Sequence, residues 1–171
     1  MATFYKRQGA YNEQIMQFIL EKAGYPDLSG SYSQTNLLDI VTRLRPGRLK
    51  SVEQKIPKFL GWSKYTAKFI LDQVYGLDYI LSVDPSGEKV AFDFTVNGES
   101  LETKASKLKE FQPLWSALGI NKVVVLSITY PEGEDQGLLF YDTDNAVYDI
   151  CDVIYTALES DSDVITAEIE I

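Results

Sequence analysis

The sequence predicts an α/β protein built on a mixed β-sheet with helices on both faces. Three observations carry that expectation. From Asp78 onward the pattern runs strand, strand, helix, strand, strand, helix. Val123, Val124, Val125 and Leu126 stand in a row within Lys122–Thr129, as in a strand buried on both sides. Ser100–Leu118 puts Leu101, Leu108, Phe111, Trp115 and Leu118 on one helical stripe, the face a sheet would cover.

Taken in order, Tyr11–Ala23 reads as an amphipathic helix with Ile15, Phe18, Ile19 and Leu20 clustered and Gly24 as its stop. Pro26–Ser33 is turn-rich. Helices are expected at Gln34–Leu44, Val52–Leu60 and Ser63–Tyr75, separated by Pro46-Gly47 and Gly61, with Ser63 as an N-cap. The texture then changes. Asp78–Val83 and Lys89–Val96 are β-rich and flank the turn sequence Asp84-Pro85-Ser86-Gly87. Leu138–Tyr141 reads as a short strand, Ala146–Leu158 as a helix and Val164–Ile171 as an edge strand. A chain of 171 residues fits one domain: a helical basic segment at 34–75, a core at 77–128 and an acidic part at 129–171.

Composition excludes several chemistries. With no histidine and a single cysteine, Cys151, the chain has no Cys/His zinc site, no internal disulfide and no Ser-His or Cys-His pair. Any metal would be held by carboxylates and carbonyls, which favours magnesium, manganese or calcium. The glycines are scattered, so no Gly-rich phosphate loop for a nucleotide cofactor occurs. No stretch approaches the roughly 18 apolar residues that span a bilayer, and residues 1–14 lack the apolar core of a signal peptide, so the expected location is cytoplasmic with no membrane partner.

The net charge of −9 hides an asymmetry. Residues 1–75 hold 11 Lys/Arg against 6 Asp/Glu; residues 76–171 hold 5 against 19, and none of the basic residues follows Lys122. A basic front can meet phosphates while an acidic rear repels them; two oppositely charged surfaces that only keep the domain soluble fit equally. The densest basic cluster, Arg43, Arg45, Arg48 and Lys50, supplies the candidate contacts to nucleic acid. Further along, Phe59, Trp62 and Tyr65 interleave with lysines, a pattern that suits base stacking but also suits ordinary amphipathic helices with aromatic cores. The acidic half alternatively recruits a basic protein partner, and a homodimer stays open.

The chemical centre is expected on the hairpin. In Lys89–Val96, Val90, Phe92, Phe94 and Val96 take one face and Ala91, Asp93 and Thr95 the other, which leaves Asp93 an acid in an apolar strand. If Pro85 and Ser86 form the loop, paired positions sum to 171 and Asp78 faces Asp93. Like charges across a ladder are destabilising; a cation held between the carboxylates turns the repulsion into coordination. On the following helix, Lys104 falls inside the apolar stripe, either aimed at the sheet near Asp93 or snorkelling from the first turn to water. A competing frame runs Asn97-Gly98 as a hairpin turn and makes Glu102-Thr103-Lys104 part of a third strand. Ser100–Ala105 has only Leu101 as a strand-like apolar residue, which favours the helix.

Two acids and a lysine in this order resemble the centre of the PD-(D/E)XK nuclease superfamily, the restriction-endonuclease-like fold. Leu77-Asp78 occupies the Pro-Asp place and Asp93-Phe94-Thr95 the acid-x-lysine place, and Ser100–Leu118 and Lys122–Thr129 look like the succeeding helix and strand. Arg7-Gln8-Gly9-Ala10-Tyr11-Asn12-Glu13, running on to Leu20-Glu21-Lys22-Ala23-Gly24-Tyr25, is similar to the opening of archaeal-type Holliday junction resolvases. The resemblance implies a metal-dependent hydrolase of phosphodiester bonds in nucleic acid, with Glu13, Asp78 and Asp93 holding magnesium or manganese and Asp78, Asp93 and Lys104 as its catalytic set. Thr95 stands where the triplet has its lysine, and some branches of the superfamily carry that lysine on the next helix, the role the resemblance offers to Lys104. The helical stretch 34–75 is then an insertion before the first acidic strand.

Overall fold

Four strands form one sheet in the order β1 (Tyr79–Val83), β2 (Glu88–Val96), β3 (Ile120–Thr129) and β4 (Val164–Glu170). A computed structural model describes residues 13–83, 85–96, 101–129 and 143–170 of the chain. The expected strand Leu138–Tyr141, the Asn97-Gly98 turn and the resolvase-like residues Arg7–Asn12 lie outside the described residues. β1 pairs antiparallel with β2, while β2–β3 and β3–β4 are parallel. The sheet is therefore mixed, and each parallel step is made by a helical crossover.

The hairpin register agrees with the sequence. Tyr79 pairs with Phe92, Ile80 with Ala91 and so on to Val83 with Glu88, every pair summing to 171. The ladder closes on Val83 and Glu88, where the Gly87 N–H donates to the Val83 carbonyl at 2.8 Å. Pro85 and Ser86 thus sit inside a four-residue connection rather than forming the whole loop. The register is unchanged.

Alternation along the strands sorts the sheet into two apolar layers. On one side Ile80, Ala91, Val123 and Val125 pack with α2 (Gln34–Leu44), α3 (Pro46–Glu53), α4 (Ala67–Ile70), α5 (Leu101–Glu110) and α6 (Gln112–Ser116). On the other, Tyr79, Leu81, Phe92, Phe94, Val124 and Leu126 pack with α1 (13–22) and α7 (Thr143–Glu159). The basic segment 34–75 shares its core with the sheet, because Leu37, Ile40, Val41 and Val52 are buried beside Ile80 and Val123. Charge divides the same way: α2 to α4 carry Arg43, Arg45, Arg48, Lys50 and Lys68, while α7 carries Asp144, Asp149, Asp152 and Glu159 and no basic residue.

Several boundaries differ from expectation, each for a local reason. The helix expected at Val52–Leu60 lies earlier, at Pro46–Glu53, because proline suits the first helical turn, where its missing N–H has no partner to lose. The chain beyond it leaves helical geometry at Lys58, whose φ is +56°. Ser63 lies in a short 3-10 turn, Trp62–Lys64, and Thr66 is the cap of α4, accepting the Phe69 N–H at 3.1 Å. α4 widens at Leu71–Tyr75 into a π turn ended by Gly76 at φ +74°. The single helix expected at Ser100–Leu118 is two, α5 and α6, because Pro113 cannot continue the hydrogen-bond ladder and opens α6 instead. Residues 101–110 are helical, so the third-strand frame for Glu102-Thr103-Lys104 does not hold. Among the described residues no helix is long and apolar enough to cross a membrane.

Candidate metal centre

Asp78 sits one residue before β1 and extends its ladder. Its N–H donates to the Phe92 carbonyl at 2.8 Å, and its Oδ2 accepts the Phe94 N–H at 2.8 Å. One side chain thus replaces a backbone partner at the sheet edge and is 9% exposed as a result. Asp93 lies on β2 on the face of Ala91, under α5. Lys104 projects from α5 onto this face: its Nζ donates to the Phe94 carbonyl at 3.1 Å and lies 3.7 Å from Asp93 Oδ1. Its side chain retains 35% exposure, so the amine is turned to the sheet edge rather than released to water.

Glu13 comes from α1, in the opposite layer, and meets Asp78 at β1, the edge strand. Its carboxylate, that of Asp78 and that of Asp72 each offer an oxygen, and the three oxygens lie within 4.8 Å of one another. Asp72 is the residue that sequence reasoning missed. It sits in the π turn after α4, and Gly76 folds the chain back so that Asp72 returns to Asp78, six residues on, immediately before β1. A helix followed at once by glycine and an acid-led strand was the available signal.

Two further residues brace the centre. Lys68 Nζ is 2.5 Å from Asp27 Oδ2 and 3.4 Å from the Asp78 carbonyl. Asp27 in turn accepts the Ser29 N–H at 3.0 Å and the Ile80 N–H at 3.2 Å. These hydrogen bonds outweigh burial and hold the Asp27 carboxyl below its ordinary range.

The acids of the centre behave oppositely. Burial pushes Asp78 well above the usual carboxylate value, helped by its hydrogen bond with Asp72 and by the charges of Asp93 and Asp72, against the Phe94 N–H. Burial also raises Asp93, in spite of Lys104 and a hydrogen bond with Asp78. Glu13 rises through burial and Asp72, while Lys68 opposes. Glu13, Asp72 and Asp78 thus converge, with Asp93 beside them but outside the group of three oxygens.

The donor set suits a hard divalent cation. It is all oxygen, and ligand oxygens around such an ion sit about 3–5 Å apart when each lies at roughly 2.0–2.6 Å from it. Cys151 is carried by α7 on the other layer. Among the described residues this is the one group of three such ligands.

The predicted phosphate contacts divide. Arg43 and Lys50 are exposed. Arg45 donates to the Glu110 carbonyl at 2.6 Å. Arg48 donates to the carbonyls of Val74 and Gln73, both at 3.2 Å, with its guanidinium 4.6 Å from the centre of the Phe111 ring. Two of the four basic side chains therefore tie α3 to neighbouring helix ends. Thr95 is buried at 8% exposure on the face of Asp93.

No protein-family model, curated protein or solved structure gave a significant match to the chain.

Proposed function

We propose that this protein is a nuclease-like hydrolase that cleaves phosphodiester bonds in nucleic acid with magnesium or manganese, on a restriction-endonuclease-like scaffold. The observation that carries the reading is the convergence of Glu13, Asp72 and Asp78 within 4.8 Å, with the Asp93–Lys104 pair on the adjoining strand. Two sheet positions, two helices and a π turn contribute to it, which a solvated run of acids would not require.

Glu13, Asp72 and Asp78 would hold the ion, which would supply Lewis-acid polarisation of the phosphate; Asp93 lies outside that group of three, on the adjoining strand. Lys104 contributes a positive charge beside the centre that offsets the negative charge developing at phosphorus in the transition state. The Phe94 carbonyl and Asp93 hold that amine in place. Lys68, fixed by Asp27, lowers the electrostatic cost of bringing a polyanion to four acids.

The test is incubation of the pure protein with supercoiled and branched DNA, with and without magnesium or manganese. Cleavage that needs the ion and disappears in Asp93→Ala supports the reading. A second reading, a non-catalytic interaction module for a basic protein partner, draws on Thr95 in the lysine place and on the net charge of −9. No cleavage together with no metal binding at millimolar concentration selects it.

A further inference from the structure

On the segment that leads to the acidic centre, outside the residues used above, three aromatic rings form a continuous stack and a fourth packs edge-on against it. Phe59 and Tyr65 lie nearly parallel, 5.6 Å between centroids and 23° between planes. Tyr65 and Phe69 follow at 4.3 Å and 14°. Trp62 meets Phe59 and Tyr65 edge-on at 5.2 and 6.1 Å. Trp62 and Tyr65 rest on the core by one side, yet all four rings keep part of their surface in solvent, and Leu60 at the tip is 72% exposed.

The charge around this stack is one-sided. Residues 50–68 hold five lysines and a single acid, Glu53. Glu53 Oε1 accepts the Trp62 indole N–H at 2.7 Å and fixes that ring. Lys55, Lys58 and Lys64 are exposed. The chain is also held in place at this point, with Lys58 at φ +56° between Pro57 and Phe59 and the Gln34 side-chain amide donating to the Tyr65 carbonyl. Partly exposed flat rings spaced among lysines match a strand that offers base faces and phosphates together.

The stack ends on the helix that leads to the centre. Phe69, its last ring, lies three residues before Asp72 on the same helical segment, and Lys68, the residue before Phe69, reaches the Asp78 carbonyl. We infer that Phe59, Trp62, Tyr65 and Phe69 form a stacking platform for unpaired bases of a nucleic-acid strand, gripped at its phosphates by Lys55, Lys58 and Lys64. This deepens the nuclease reading and rests on it for one point, that the strand continues to the carboxylates; it makes single-stranded or locally unpaired nucleic acid the substrate class.

The experiment is done in EDTA, so that binding is measured without cleavage. A fluorescein-labelled oligothymidine of about 15 nucleotides, within the range such platforms cover, is titrated with the full chain, and a matched duplex is titrated in parallel. Anisotropy gives affinity. Of the two tryptophans Trp115 is 1% exposed, so quenching of tryptophan emission reports Trp62. The expected result is about 10-fold tighter binding of the single strand with quenching, and a loss of about 10-fold in Tyr65→Leu and in Phe59→Leu. Lys58→Glu with Lys64→Glu, which leaves the rings packed, lowers affinity and flattens its salt dependence. Equal affinity for duplex and single strand, or leucine variants that bind normally, overturns the inference. So does self-association through the stack, seen as a dimer by light scattering that Leu60→Lys dissolves. Failure here with metal-dependent cleavage of duplex intact removes the platform and leaves the nuclease reading; single-strand binding without any cleavage does the reverse.

Discussion

Replacing Asp78 with asparagine should raise the stability of the metal-free protein while removing its response to metal. Asparagine keeps the size of the side chain and an oxygen to accept the Phe94 N–H, but deletes one of four clustered negative charges. A like charge opposite across a ladder costs up to about 1 kcal/mol, and Asp72 on the other side contributes a repulsion of similar size, so the gain is about 1–2 kcal/mol. At roughly 2.1 cal/mol/K of unfolding entropy per residue, about 3 °C accompanies each kcal/mol in a chain of 171 residues. The expected rise in Tm is therefore about 3–6 °C in EDTA.

The pH dependence fixes the cause. Burial and neighbouring acids raise the folded-state values of Asp78, Asp93 and Glu13, so the native state keeps protons that the unfolded chain has released. Stability then falls as pH rises from about 4 through those raised values. The benefit of asparagine should vanish below about pH 3, where Asp78 is protonated in both states, and grow above it. Manganese at about one hundred times its dissociation constant should stabilise the wild type by about 2.7 kcal/mol, enough to reverse the order of the two melting temperatures. Thermal unfolding followed by circular dichroism, in EDTA and in manganese, measures all of this. A variant that melts several degrees below wild type in EDTA, or one that gains as much from manganese as wild type does, refutes the shared-site argument.

Other outcomes are as specific. Asp72→Asn should weaken manganese binding about 10-fold or more by calorimetry, an effect a merely solvated helix acid would not produce. Lys104→Met, which keeps the apolar stem in the stripe of α5, should lower the cleavage rate by about 100-fold while manganese affinity stays or tightens, since one neighbouring positive charge is gone; unchanged cleavage would remove Lys104 from the chemistry. Arg48→Ala should destabilise by about 2 kcal/mol through two lost carbonyl bonds and the contact with Phe111, whereas exposed Arg43→Ala stays within about 0.5 kcal/mol; chemical denaturation separates them.

The hairpin was readable because its signals are short-range: period-two alternation in Lys89–Val96 and a turn sequence together leave one register that buries Phe92 and Phe94. Lys104 was readable for a similar reason, since helical geometry alone puts it on the stripe with Ala105 and Leu108. Asp72 was not. In sequence it is one more acid on a helix, and its role depends on a π turn and a left-handed glycine that bring it back to Asp78. Nor were the partners of Arg48 legible: in sequence it belongs to a basic cluster, and in the fold its guanidinium reaches the carbonyls of Val74 and Gln73. Pro46 and Pro113 each began a helix where they had been read as separators or passed over.

The sheet does more than carry the acids. By placing the basic helices α2 to α4 under one face and the acidic α7 over the other, it gives the molecule a permanent electrical polarity across the sheet. Near any long polyanion such a body experiences a torque before it touches, and arrives with its basic side, α2 to α4, forward. Encounter rates should consequently fall steeply as salt is added, even where the final complex is held mainly by stacked rings.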